Sequence, residues 1–162
     1  MGSESASSSP GSDSVPADTS DTRGGSRGMR PASLVTFVRE LDPSVEFYRE
    51  LLLMEVTTRA PTAALLTSAD GWQLYLRAMG SHAEHSLGAV GIQYVIWTAA
   101  DRDDLLRCER LLKARSAHVS TRDVEGLTLV EGRDPSHLPL VVSYPGPDQA
   151  VRHEIISRIY AW

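Results

Sequence analysis

Few side chains in this sequence come in combinations that do chemistry, and those that do are scattered along the chain. His82 and His85 form an HxxH pair inside the polar stretch of residues 80–88. Two imidazoles can hold a metal ion from a loop, but a stable site takes further ligands, so the pair reads as solvated. His137 follows Asp134 and Pro135 in GRDPSHLP, a turn sequence in which the aspartate is expected to hydrogen-bond nearby backbone. Cys108, the single cysteine, falls on the apolar stripe of an expected helix and reads as a small core residue rather than a nucleophile. No nucleophile, base and orienting group can be assembled from spacing. What remains are aromatic, amide and guanidinium side chains on extended segments: Phe37, Gln73, Tyr75, Arg77, Gln93 and Trp97. Their chemistry is recognition, by stacking and a few oriented hydrogen bonds.

The elements that must position them follow from periodicity. Residues 33–38, β-branched and apolar, predict a strand with Leu34, Thr36 and Val38 on one face and Ser33, Val35 and Phe37 on the other. Asp42 stands as an expected N-cap with Pro43 at the first helical position, and Val45, Tyr48, Leu51 and Leu52 form the stripe of the helix that follows, with Phe47 beside it. Strands are expected over 54–59, 63–67 and 72–78, the last two joined by a hairpin at Asp70-Gly71. The order then repeats. A strand over 92–98 leads to an N-cap at Asp101, a helix with Leu105, Cys108, Leu111 and Leu112 on one stripe, and strands over 117–122, 127–131 and 138–144. An offset of 60 residues carries Leu51-Leu52 onto Leu111-Leu112 and Ser33 onto Gln93, an internal repeat. After Pro145-Gly146-Pro147, Asp148 can cap a last helix with Val151, Ile155, Ile156, Ile159 and Tyr160 along one side.

Composition narrows the classes of function. The chain has 162 residues, enough for one domain with a real core. Its formal charge is −5, with Lys and Arg scattered rather than gathered in a stripe, which argues against nucleic acid and favours a cationic over an anionic small ligand. One cysteine allows no internal disulfide, and no apolar run approaches the roughly 20 residues of a membrane span. With no basic-then-apolar leader at the N-terminus, the cytoplasm is the expected location. Residues 1–30, rich in Ser, Gly, Asp, Thr and Pro, read as a disordered tail.

The strand, ELDPS turn and FYRELL helix of residues 33–52, taken with the repeated element order, resemble the vicinal oxygen chelate superfamily, which includes glyoxalases, extradiol dioxygenases, fosfomycin-resistance proteins and bleomycin-binding proteins. The resemblance spans about residues 32–144. It implies an α+β fold of two paired β-α-β-β-β modules that form a cupped mixed sheet, here over residues 31–145, with the C-terminal helix over 146–162 added. It also implies metal ligands on the concave face of the first and last strand of each module. The matching positions are Ser33, Tyr75, Gln93 and Val141, which supply neither imidazole nor carboxylate, so no metal and no other cofactor is expected. His137 stands where relatives carry a glycine. If Leu34, Thr36 and Val38 pack under the first helix, alternation turns Phe37, Gln73, Tyr75, Arg77, Gln93 and Trp97 into the cup, with Val35, Val95, Val141 and Ser143. The function implied is a metal-free binder of a planar, partly aromatic small molecule, with Tyr75 and Trp97 facing each other across the cavity. The other class implied is a metal-dependent lyase, isomerase or dioxygenase. The expected partners are a small-molecule ligand and a second copy in a homodimer, with no nucleic acid and no membrane.

Overall fold

The structure, a computed structural model, describes residues 1–2, 31–84, 91–124 and 126–146. The expected tail beyond residue 2, His85 and the expected C-terminal helix lie outside the described residues. All elements belong to the unit Pro31–Trp162. In order they are β1 (Ser33–Val38), α1 (Leu41–Leu52), β2 (Glu55–Ala60), β3 (Ala63–Thr67), β4 (Gln73–Ala78), β5 (Val95–Thr98), α2 (Arg102–Ala114), β6 (His118–Val124), β7 (Leu127–Arg133) and β8 (Pro139–Tyr144). This is β-α-β-β-β twice. The strands form two four-stranded mixed sheets, ordered β1-β4-β3-β2 and β5-β8-β7-β6. In each, the first strand pairs in parallel with the last and the other pairs are antiparallel. No described helix is long and apolar enough to cross a membrane.

Both helices serve one core. Val45, Phe47, Tyr48 and Leu51 of α1 and Leu105, Cys108 and Leu112 of α2 are buried in a single cluster with Leu66, Leu74 and Leu76 of the first sheet and Val130, Leu140 and Val142 of the second. The spacing of these residues is what a 3.6-residue period dictates. Helix α2 begins at the expected cap: Asp101 Oδ1 accepts the Asp104 amide at 2.8 Å. Helix α1 begins earlier than expected. Glu40 occupies the cap position without a side-chain hydrogen bond, and Asp42 lies in the first turn, where it pairs with Arg59. Pro43 fits there because amides of the first turn have no intrahelical partner to lose.

Polar contacts tie the halves together on the helix side. Arg107 of α2 donates to the carbonyls of Glu50 and Leu51, both at 2.8 Å, satisfying the end of α1 where Leu53 turns left-handed at φ 53°. Reciprocally, the Tyr48 hydroxyl of α1 donates to Asp134 Oδ2 at 3.0 Å in the β7–β8 turn. The Arg39 amide donates to Ser136 Oγ of that turn at 2.9 Å. Asp134 Oδ1 also accepts the Ser136 and Leu138 amides, each at 2.8 Å, as the turn sequence leads one to expect. His137 completes the turn at φ 66°, the backbone region that glycine occupies most cheaply.

The two halves distribute their bulk differently. The 60-residue offset places Tyr48 and Cys108 at the same station of α1 and α2, both buried. Where the first half projects a phenol from its helix, the second projects a thiol. Indoles from the sheet side occupy that neighbourhood instead: Trp72 and Trp97 meet edge to face, with ring centroids 5.0 Å apart. Beside them and Cys108 lies a cleft of about 270 Å³, which Arg107 and Asp104 also line.

Candidate ligand-binding face

Strand alternation decides what the uncovered face of the first sheet presents. Thr36 and Val38 are buried toward α1, whereas Ser33, Val35 and Phe37 point away, with Val35 62% and Phe37 64% exposed. On β4, Leu74 and Leu76 are buried and Gln73, Tyr75 and Arg77 turn to the same side as Phe37. On β3, Ala64 and Leu66 are buried and Ala63, Leu65 and Thr67 turn out. The register arranges these outward residues in rows across the strands: Ser33, Gln73 and Thr67; then Val35, Tyr75 and Leu65; then Phe37, Arg77 and Ala63. Within this face the Tyr75 hydroxyl donates to Gln73 Oε1 at 3.0 Å.

A cavity of about 360 Å³ adjoins the face, at the seam where β1 meets the segment leading into β5. Phe37, Val35, Ile92, Gln93 and Tyr94 are among its walls. Gln93 is placed near the backbone by its Nε2, which donates to the Gly91 carbonyl at 3.1 Å. The structure thus brings Phe37 and Gln93 to one cavity and puts Gln73, Tyr75 and Arg77 on the strand next to Phe37.

Trp97 is elsewhere, which corrects the expected facing of β5. Its partner in register is Val142, which belongs to the helix-side core, and its ring packs on Trp72 in that core. Val95 pairs with Leu140 and turns the same way. The residues of β5 that share a side with Val141 and Ser143 are Ile96 and Thr98. Tyr94 and Ile96 pack on Leu127, Leu129 and Val141, a small second cluster. Tyr75 and Trp97 therefore do not face each other across a cavity. The sequence signal for this was the connection between strand and helix. It has two residues, 39–40, in the first half and three, 99–101, in the second, so the offset measured on the helices slips by one on the strands.

Of the four positions expected to match superfamily metal ligands, Ser33, Tyr75, Gln93 and Val141, the slip on β5 moves the third to Tyr94, and the last is buried against Leu127 and Leu129. Among the described residues no three His, Cys, Asp or Glu side chains converge. The outward residues of β1 and β4 offer hydroxyl, amide, phenol and guanidinium groups, and this set does not fit a divalent ion that needs imidazole or carboxylate.

Other titratable groups are structural. Burial pushes the Cys108 thiol up to about 11, so it is protonated at neutral pH. Burial also raises Asp134, against the lowering effect of its three hydrogen bonds, and holds Tyr48 well above the usual phenol range. His82 is in a surface turn.

No family profile and no curated protein matches the sequence. Solved structures do match. A glyoxylase/bleomycin resistance protein/dioxygenase domain from Frankia sp. EAN1pec superposes with a TM-score of 0.60 at 20% identity, over 69% of this chain and 94% of that one. Lactoylglutathione lyase from Agrobacterium tumefaciens gives 0.56 at 16% identity, over 72% and 94%. The fosfomycin resistance protein FosX from Mesorhizobium loti gives 0.57 at 10% identity, over 76% and 96%. At such identities the likeness is one of fold, and it extends over nearly the whole of each relative. With its duplicated β-α-β-β-β order, the chain has the fold of the vicinal oxygen chelate superfamily.

Proposed function

We propose that this protein is a metal-free small-molecule binder of the glyoxalase/bleomycin-resistance type, which holds a planar, partly aromatic ligand against the outward face of β1 and β4 and does no chemistry on it. The observation that carries this reading is the exposure of Val35 and Phe37, with Tyr75 beside them, at the rim of a 360 Å³ cavity. Large apolar side chains grouped on one sheet face next to a concavity mark an interaction site. Gln73, Arg77 and Gln93 supply the few polar groups that orient a ligand. A second copy of the chain is the proposed partner, one that completes the walls of the cup.

Calorimetric titration of a panel of planar aromatic compounds tests the reading. Compounds that bind should lose at least tenfold in affinity in Phe37→Ala, while the variant unfolds at the same denaturant concentration as the parent. Metal analysis of protein purified without chelator tests the absence of chemistry: near-stoichiometric Ni, Zn, Mn or Fe that disappears on replacing Gln93 or Tyr75 would overturn it. Light scattering at micromolar concentration tests the dimer, and a strictly monomeric mass would refute it.

A further inference from the structure

We propose that the ligand is an anion: a flat aromatic carboxylate about two fused rings long, its carboxylate on Arg77 and a neutral polar group at its far end near Gln73. The inference rests on the binding face described above and assigns a chemical class to what binds there.

The rows of that face are graded. The row of Ser33, Gln73 and Thr67 is polar and uncharged until it reaches Glu55 on β2, the row of Val35, Tyr75 and Leu65 is apolar apart from one hydroxyl, and the row of Phe37, Arg77 and Ala63 carries the cation. Same-face residues on a strand stand about 6.6 Å apart, so the three rows span about 13 Å. A bicyclic ring system with one substituent at each end fits that length.

Arg77 is exposed, and neither of its cross-strand partners is a carboxylate. Its cross-strand partners are Phe37 on one side and Ala63 on the other. Arg59 of β2 pairs with Asp42, on the opposite side of the sheet. No ion pair among the described residues involves Arg77. A guanidinium has five N–H donors and no acceptor, in a fork that matches a carboxylate.

Hydrogen-bond arithmetic points the same way along the rest of the face. Gln73 Oε1 is taken by the Tyr75 hydroxyl, which leaves the Gln73 amide N–H groups as the donors turned outward. The outward side chains of β1 and β4 include no carboxylate. On β2 the register adds Glu55 beside Thr67, two rows from Arg77 and on the far strand, so the acceptor-poor part of the face is the Arg77 end, and its complement there is an acceptor-rich group. The formal charge of −5 over the whole chain favours cations at long range, but that field is screened beyond about 10 Å at moderate salt, and the local cation decides the contact.

The test is calorimetry with 6-hydroxy-2-naphthoate, its carboxamide 6-hydroxy-2-naphthamide, and 2-naphthoate, against the parent protein, Arg77→Gln, Arg77→Lys and Phe37→Ala. The parent should bind 6-hydroxy-2-naphthoate at least tenfold more tightly than the carboxamide, and raising salt should narrow that gap. Arg77→Gln should weaken 6-hydroxy-2-naphthoate more than the carboxamide and so reduce the preference to near unity, and Arg77→Lys should restore part of it. The 2-naphthoate should bind more weakly than its hydroxylated analogue. Equal binding of naphthoate and carboxamide by the parent, or a preference that survives Arg77→Gln, overturns the anion assignment while the binding face stands. Binding of naphthoate that is unchanged in Phe37→Ala, or no binding of any probe at millimolar concentration, overturns the face and the assignment together.

Discussion

Replacing Tyr48 with Phe removes one oxygen and tests how the two modules are fastened. The Tyr48 hydroxyl is one of three donors to the Asp134 carboxyl, with the Ser136 and Leu138 amides, and only 3% of Asp134 is exposed. Water does not replace the lost donor at such a site. Hydrogen bonds to charged groups contribute about 1.5–3 kcal/mol, so Tyr48→Phe should lower unfolding free energy by about 2 kcal/mol at pH 7. Burial raises the folded-state pKa of Asp134, and the Tyr48 bond opposes that rise. A raised carboxyl contributes stability that is fully present below its unfolded pKa and is lost as pH rises through the folded one. Removing Tyr48 lifts the folded pKa further, so its cost should be largest near neutrality. The cost should shrink as pH falls and the carboxyl takes up its proton, because the lost bond is then a neutral one of about 0.5–1.5 kcal/mol. Urea unfolding followed by circular dichroism at pH 7 and at pH 4.5, in a double-mutant cycle with Asp134→Asn, measures this directly. A coupling energy below about 0.5 kcal/mol at pH 7, the usual scatter for sites that do not interact, would refute the fastening. A coupling that grows on acidification would refute its electrostatic basis.

Three further outcomes follow from packing. Gly132→Ala should destabilise by about 1–3 kcal/mol, because an added Cβ would sit 2.9 Å from the Ala117 carbonyl and 3.0 Å from Leu112; unchanged thermal unfolding would contradict the close approach of β7 to α2. Trp97→Phe should cost about 0.5–1.5 kcal/mol from its lost contact with Trp72, on top of the area no longer buried, yet leave ligand affinity at Phe37 and Tyr75 intact; a selective loss of affinity would return Trp97 to the cup. Cys108 should react with a disulfide reagent in the native protein at least 100-fold more slowly than in urea, since it is 3% exposed and protonated; equal rates would mean that the helix interface opens freely.

The helices were the most legible part of the chain. A 3.6-residue stripe is redundant, so the match of Val45, Tyr48 and Leu51 to Leu105, Cys108 and Leu111 survives a small error in where each helix starts. Indeed, Asp42 proved to lie inside the first turn and not at its cap. Strands carry no such redundancy. With a side-chain period of two, the single extra residue between β5 and α2 turned Trp97 from the expected cup to the helix-side core. In the first module the strand and helix were read together from one continuous stretch, and there Phe37, Tyr75 and Arg77 all point where alternation put them. The inter-module contacts were not legible at all. Nothing in the neighbours of Tyr48 or Asp134 announces that residues 86 apart in sequence share a hydrogen bond.

The unequal distribution of bulk between Tyr48 and Cys108 makes the two halves obligate mates. In the intact chain the phenol of the first half meets the carboxyl that the second half provides, while the thiol of the second half donates to the Leu51 carbonyl of the first at 3.7 Å. Two first halves would bring together two phenols with no Asp134 to receive either. Two second halves would leave that carboxyl without its Tyr48 donor. Expressed as separate polypeptides, the halves should recognise each other and not themselves, so a repeated element order works as lock and key within one chain.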